Sequence, residues 1–286
     1  MLCTVLVENT SDSSALLPQH GLSLYIETDG AVLLLDAGQD DAFAKNAAVL
    51  GKDLISVSAA VCSHAHYDHA GGFAAFCSIN RTAPVYTYWR AGTVCYSTSR
   101  AVPGSEPVCI GWSGTDPYSS RIRSVDSSRP LELFPGIMLV PVVVHSASRP
   151  YKNRTLFVRK DGTYIPDDFS HECVLAVSTE KAGRRGLALF NSCSHNGVVN
   201  SIESVHTFFP GADILSYTGG FHFPWGRDET PVPEDMSAMD ELASRTAALG
   251  TELYTGHCTG PAACTYLSAV CGQRLHTLHT GMSFIL

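Results

Sequence analysis

One short segment concentrates side chains that can hold a metal ion. It reads Cys62-Ser63-His64-Ala65-His66-Tyr67-Asp68-His69-Ala70-Gly71-Gly72, and His64, His66, Asp68 and His69 fall within six residues. Imidazole nitrogen and carboxylate oxygen are the usual ligands of zinc and other divalent first-row ions. A compact loop with this spacing can turn His64 and His66 toward one ion and aim Asp68 and His69 at a second. Gly71 and Gly72 let backbone pass close to such a site and enter a helix tightly. Three histidines and an aspartate seldom crowd together this way outside metal sites.

Further chemistry-bearing residues lie in the second half of the chain. His195 sits in Asn191-Ser192-Cys193-Ser194-His195-Asn196-Gly197, and His257 in Gly256-His257-Cys258-Thr259-Gly260. His222 ends Gly219-Gly220-Phe221-His222. It is read either as a hydrogen-bond donor or general acid in a substrate pocket, or as a histidine behind or outside the site. The same two readings apply to His145 and His171. Cys193 is either a thiolate ligand, which would favour a softer ion such as zinc, or a buried inert thiol, the preferred reading. Asp167, Asp168 and Glu172 read by default as a solvated acidic loop, or as support for the site. Asp213 and Asp228 have no spacing that singles them out. The turn Cys193–Asn196 leads into a helix, whose free N–H groups would suit a phosphate. Arg121, Arg123, Arg129, Arg149, Lys152 and Arg154 could add anion contacts.

These residues need strands and turns to position them. The apolar run Leu2–Val7 opens the chain, and Leu22–Thr28 and Ala31–Leu35 flank Asp29-Gly30, a hairpin signal. A helix is expected from about Asp40, with Phe43, Ala47 and Leu50 on one face and Gly51 as its stop. The strand Val57–Cys62 then delivers the histidine segment. From about 80 to 130 the texture turns to Ser, Gly, Pro, Thr and Arg, read as an irregular lid or insertion with a few short strands. Strands are expected at Ile137–Val144, Cys173–Ser178, Leu187–Asn191, Ile214–Tyr217 and Leu253–Thr255. Helices are expected at 197–209, Glu234–Leu249 and Pro261–Cys271. His195 and His257 each follow an expected strand, so both belong on the rim that carries the first cluster. Strands first, then alternating strands and helices, predict two sheets packed face to face with helices outside.

The segment His64-Ala65-His66-Tyr67-Asp68-His69 matches the H-x-H-x-D-H signature of the metallo-β-lactamase superfamily, and Asp36-Ala37-Gly38 resembles its early aspartate–glycine turn. The segments around His195, His222 and His257 are similar to the branch typified by dihydropterin ribofuranosyl-aminobenzene phosphate synthases. The resemblance is strongest over 20–75 and 165–286. It implies an α/β fold, the αββα sandwich, as one domain over 1–286. It also implies a divalent-metal cofactor of one or two ions, with zinc expected and manganese or iron as alternatives. Carried over residue by residue, it assigns His64, His66 and His195 to one metal and Asp68, His69 and His257 to the other, with Asp36 supporting the loop. Asp68 would also orient the nucleophile, and His222 would assist the leaving group or bind the anion. The pattern departs at one point: where most two-metal members carry a bridging aspartate after the strand Leu187–Asn191, this chain has Cys193 and His195. The implied activity is metal-dependent hydrolysis of a phosphate-containing or ester substrate by metal-activated water. The alternatives are a dihydropterin-related synthase or transferase, and a non-catalytic metal-binding protein.

Composition bounds the partners. The formal charge of −8 over 286 residues argues against nucleic acid and leaves a small molecule, phosphorylated or pterin-like, as the expected partner. Ten cysteines without a C-x-x-C pair suit free thiols in a reducing compartment. No signal-like or membrane-spanning run is read, so a cytoplasmic protein is expected. The sequence leaves the oligomeric state open.

Overall fold

The computed structural model describes every residue except 90–92, 103 and 113–117. Its frame is a pair of sheets. In spatial order, the first runs Ser283–Ile285, Leu2–Val7, Ser23–Glu27, Val32–Leu35, Ala59–Val61, Val85–Thr87 and Ile122–Ser124. The second runs Leu275–Thr277, Glu252–Thr255, Ile214–Thr218, Arg184–Phe190, Cys173–Lys181, Ile137–Pro141 and Leu131–Phe134. Side chains alternate along these strands with period two. Leu24, Ile26, Leu33 and Leu35 face the second sheet, where Leu139, Leu175, Val177 and Phe190 meet them. Tyr25 and Leu34 point the other way, onto Phe43, Phe73 and Phe76 of the helices Ala42–Val49 and Phe73–Ile79. Val174, Ala176 and Leu189 likewise turn outward, onto Ile202, Val205, Met239 and Leu267 of the helices Val198–Phe208, Pro233–Leu249 and Pro261–Cys271. Both sheets are thus apolar on both faces, and the four-layered αββα sandwich is the arrangement that buries them all.

The Asp29-Gly30 hairpin forms, with Thr28 N–H donating to Ala31 O at 3.0 Å and Leu24 opposite Leu35. The expected strand Ile137–Val144 stops at Pro141. Beyond it, the amides of Val143 and Val144 donate to Ser204 Oγ on a helix instead of continuing the ladder. The segment from Tyr67 onward holds two short helices, Tyr67–Ala70 and Phe73–Ile79, around Gly71-Gly72.

Within 80–130, Val85–Thr87 and Ile122–Ser124 extend the first sheet. Cys95–Ser97 and Val108–Cys109 instead join the hairpin Leu156–Lys160 and Thr163–Pro166 in a small third sheet. Residues 90–92, 103 and 113–117 of this stretch lie outside the described residues. The small sheet leans on the histidine segment: Tyr67 N–H donates to Ile110 O at 2.9 Å, and Trp112 N–H to Ala65 O at 2.8 Å. No described helix is long and apolar enough to cross a membrane.

Candidate metal centre

Five strand ends converge at one edge of the sandwich: those before Asp36, Cys62, Asn191, Gly219 and Gly256. The turns that follow them carry the six residues singled out as metal ligands, and the structure brings all six together. His64, His66 and His195 form one triad whose ligand atoms lie within 4.8 Å of one another. Asp68, His69 and His257 form the other. There, Nε2 of His69 is 3.0 Å from Nε2 of His257, and Asp68 Oδ2 is 3.6 Å from the first and 3.5 Å from the second. A tetrahedral ion bound at about 2.0–2.1 Å to nitrogen needs ligand atoms roughly 3.4 Å apart. The second set, and the 3.1 Å between His64 Nε2 and His66 Nδ1 in the first, match that scale.

Four of the five imidazoles are held through Nδ1, which leaves Nε2 to face the centre. His64 Nδ1 bonds Ser63 Oγ at 2.8 Å, and Ser63 Oγ–H in turn donates to Asp36 Oδ2 at 2.6 Å. His69 Nδ1 bonds the same Asp36 Oδ2 at 2.8 Å. His195 Nδ1 bonds Asn153 Oδ1 at 3.1 Å, and His257 Nδ1 bonds Asn9 Oδ1 at 3.2 Å. Acceptors at Nδ1 fix the tautomer that presents a lone pair at Nε2. His66 is the exception: its Nδ1 lies 3.1 Å from His64 Nε2, and its Nε2 is buried with no hydrogen-bond partner.

The electrostatics set one ring apart from the other four. Burial, with help from the neighbouring imidazoles, holds His64 and His195 well below the usual histidine value. It brings His66 to about 3 and His257 to about 4. These rings are neutral and their lone pairs are free. Burial also opposes charge on His69, but Asp68 and Asp36 outweigh it and raise that residue to about 8. Asp68 itself is held below the usual carboxylate range: burial would raise it, but His69, His257, His66 and His20 overcome that. His195 Nε2 is buried with no hydrogen-bond partner. An orphaned lone pair beside two neutral imidazoles calls for a cation, whereas at the second set a proton on His69 satisfies its contact with His257, and an ion bound there would displace that proton. The donor set therefore fits a pair of divalent ions.

Cys193 stands between the triads. Its Sγ belongs to groups within 4.8 Å with His64 and His69, with His195 and His222, and with His257 and Cys258. It is 3.2 Å from His69 Nε2 and 3.5 Å from Cys258 Sγ. Burial pushes this thiol well above its ordinary value. Metal binding would have to displace the proton, as it does at thiolate sites generally. His222 lies beside His195, ring centroids 4.1 Å apart, with a buried Nδ1 that has no partner.

Other sequence candidates fall elsewhere. His171 does not join either triad. Its Nδ1 accepts from Ala65 N–H at 3.1 Å and its Nε2 bonds Asp167 at 3.1 Å, so this pair braces the histidine segment from behind. Glu172 is buried and accepts from His195 N–H at 2.6 Å and Asn196 N–H at 2.9 Å. That removes the phosphate expected at this turn, because its amides already have an anion. His145 and Asp228 are exposed and outside the site, and Asp213 pairs with Arg184 on the surface. Arg121 is tied to the carbonyls of Ala83 and Asn80, and Arg149 to Asn196 and Asp168. Sequence reasoning missed Asn9, Ser63 and Asn153, which aim imidazoles, and His20, whose Nε2 lies 3.3 Å from Asp68 Oδ2. Only Ser63, inside the motif, had a signal that could have found it.

A cavity of about 490 Å³ opens onto the centre. His66, Asp68, Cys193, His195, His222 and His257 form its floor.

Known proteins share this architecture. The family model of the Metallo-beta-lactamase superfamily matches residues 16–139. A 7,8-dihydropterin-6-methyl-4-(beta-D-ribofuranosyl)-aminobenzene-5'-phosphate synthase of Methanocaldococcus jannaschii is 26% identical over 258 residues, which cover 85% of this chain and 81% of that one. The crystal structure of Tm1679, a metal-dependent hydrolase of the beta-lactamase superfamily, superposes with a TM-score of 0.79 at 24% identity, covering 100% of this chain and 99% of the other. A diphosphatase from the PhnP family superposes with a TM-score of 0.51 at 18% identity, covering 99% and 96%. The αββα sandwich of this chain is the metallo-β-lactamase fold.

Proposed function

From this fold we propose that the protein is a metal-dependent hydrolase cleaving an ester or phosphoester bond in a small molecule. The observation that carries this reading is the pair of triads beneath one cavity, each with two members on its floor, with four imidazoles aimed through Nδ1 by Asp36, Ser63, Asn153 and Asn9. His64, His66 and His195 would hold one divalent ion, zinc by preference. Asp68, His69 and His257 would hold the second, and Cys193 Sγ, within reach of both sets, would be available as a further ligand. Ions bound there would supply Lewis acidity and bring the pKa of a water toward neutrality.

The chain's own groups do the rest. The second oxygen of Asp68 orients the attacking nucleophile. His222 lines the cavity and carries the proton to the leaving oxygen. Trp225 and Leu156 wall the cavity and limit water around the reacting bond. Ten free cysteines support a reducing, cytoplasmic setting.

A second reading is a dihydropterin-related synthase or transferase, favoured by the likeness to the Methanocaldococcus jannaschii synthase. The deciding experiment measures metal content by mass spectrometry, and then turnover of bis(p-nitrophenyl) phosphate by the zinc-loaded chain. Two metals per chain and chelator-sensitive turnover support hydrolysis. Two metals, no turnover and selective retention of a pterin support the synthase. A chain that takes up no metal on titration refutes both.

A further inference from the structure

Above the metal floor, the cavity wall carries two cations, and neither is in an ion pair with a described carboxylate. Arg100 lies against Tyr67, its guanidinium carbon 5.4 Å from the ring centroid and its Nη1 donating to the phenol oxygen. Lys152 lies over Trp225, Nζ 4.4 Å from the ring centroid. Both line the cavity, and no described carboxylate is within ion-pair reach of either. A cation resting on an aromatic face keeps its charge available, whereas a carboxylate partner would cancel it. In a chain of formal charge −8 this is a local exception.

The Lys152 side of the wall is built rather than incidental. Asp235 is fully buried, and its two oxygens hold both halves of the platform. Oδ2 accepts from the Trp225 indole N–H at 2.8 Å, and Oδ1 accepts from Tyr151 N–H, next to Lys152, at 2.8 Å. Thr155 Oγ1–H donates to Lys152 O at 2.8 Å and closes the same turn. Arg100 still has N–H donors beyond the one given to Tyr67. A guanidinium fork and an ammonium point charge together match a phosphoryl dianion better than a single carboxylate.

We propose that Arg100 and Lys152 hold a phosphoryl group of the substrate that does not itself react, anchoring the molecule while its other end lies over the metal floor. The inference rests on the reading of this cavity as a substrate site. It makes the two cations determinants of specificity, separate from the ligands beneath them.

The test uses the full chain as purified and phenyl phosphate as the probe, followed by phosphorus NMR line broadening. Benzoate serves as the carboxylate control, followed by proton NMR. Wild type is compared with Arg100→Gln, Lys152→Met and His66→Ala, each checked for fold by circular dichroism. Phenyl phosphate should bind wild type at least tenfold more tightly than benzoate. Binding should weaken tenfold or more in Arg100→Gln and in Lys152→Met, and persist in His66→Ala. Absence of binding to wild type, equal binding of the two probes, or unchanged binding in both cation variants overturns the proposal. Loss in His66→Ala alone does so as well, because it places the phosphate on the metals. Failure of the metal reading is scored independently, by the zinc content of wild type after titration.

Discussion

Asn153 and Asn9 carry no metal-binding chemistry, yet each decides which nitrogen of a histidine faces the centre. Such partners typically tune affinity by about 10–100-fold. Asn153→Ala should therefore weaken zinc binding at the His195 triad by about that factor while the fold holds, as read by competition with a chromophoric chelator. An unchanged affinity would show that His195 is not a ligand. Cys193 offers a sharper choice. If its thiolate joins both ions, Cys193→Ala should lower the metal content toward one per chain, and Cys193→Asp should restore it by returning a carboxylate to the shared position. A buried inert thiol would instead tolerate Cys193→Ala with full metal content and a small stability loss. His222 separates chemistry from binding: His222→Ala should leave two metals in place and lower kcat by about 10²–10⁴-fold, the usual contribution of a positioned acid. Metal loss in that variant would move His222 from the reaction to the framework.

The elements matter here through their ends. Each ligand-bearing turn follows a strand whose two faces are buried, so the strand cannot slip by a residue without moving apolar side chains into the wrong layer. The turns inherit that precision. Ser194, His222 and His257 sit at positive φ, 53°, 54° and 55°, and backbone hydrogen bonds close the turns of Ser194 and His257. Gly72 shows how tight the packing is. A Cβ there would fall 2.1 Å from Ala37 O and 2.5 Å from Asp40 O, both backbone atoms. Gly72→Ala should therefore destabilise the chain by about 1–3 kcal/mol, the usual scale of overpacking, and weaken metal binding as the segment shifts. Chemical denaturation with and without zinc would separate the two effects. An alanine variant with wild-type stability would mean that this loop is looser than its contacts imply.

At the scale of the whole molecule, the centre ties together turns from both sheets, so bound metal should stabilise the entire sandwich. An ion held a thousandfold below its free concentration adds about 4 kcal/mol, and each kcal/mol moves the melting temperature of a chain this size by roughly 2–4 °C. Chelation should thus lower Tm by on the order of 10 °C, reversed by zinc, in a scanning calorimetry experiment. A Tm indifferent to chelator would mean that the triads are not loaded in the purified protein. The six histidine and aspartate ligand candidates, the hairpin at Asp29-Gly30 and the helix Pro261–Cys271 were legible in the sequence, because each is a local property: a ligand cluster, a turn dipeptide or an apolar stripe between breakers. The two-sheet sandwich was legible in the order of elements, strands first and then strands alternating with helices in both halves. Other features rest on distance in space rather than spacing in the chain. Asn153 reaches His195 across 42 positions and Asn9 reaches His257 across 248. Cys193 acquires its place between the triads only when three strand ends meet. Arg100 and Lys152 face one cavity because the small third sheet folds over the rim. The sequence by itself determined which residues could bind a metal. Tertiary structure decided which nitrogen each one offers, what stands between them and what covers them, because those depend on partners that only packing brings within a few ångströms.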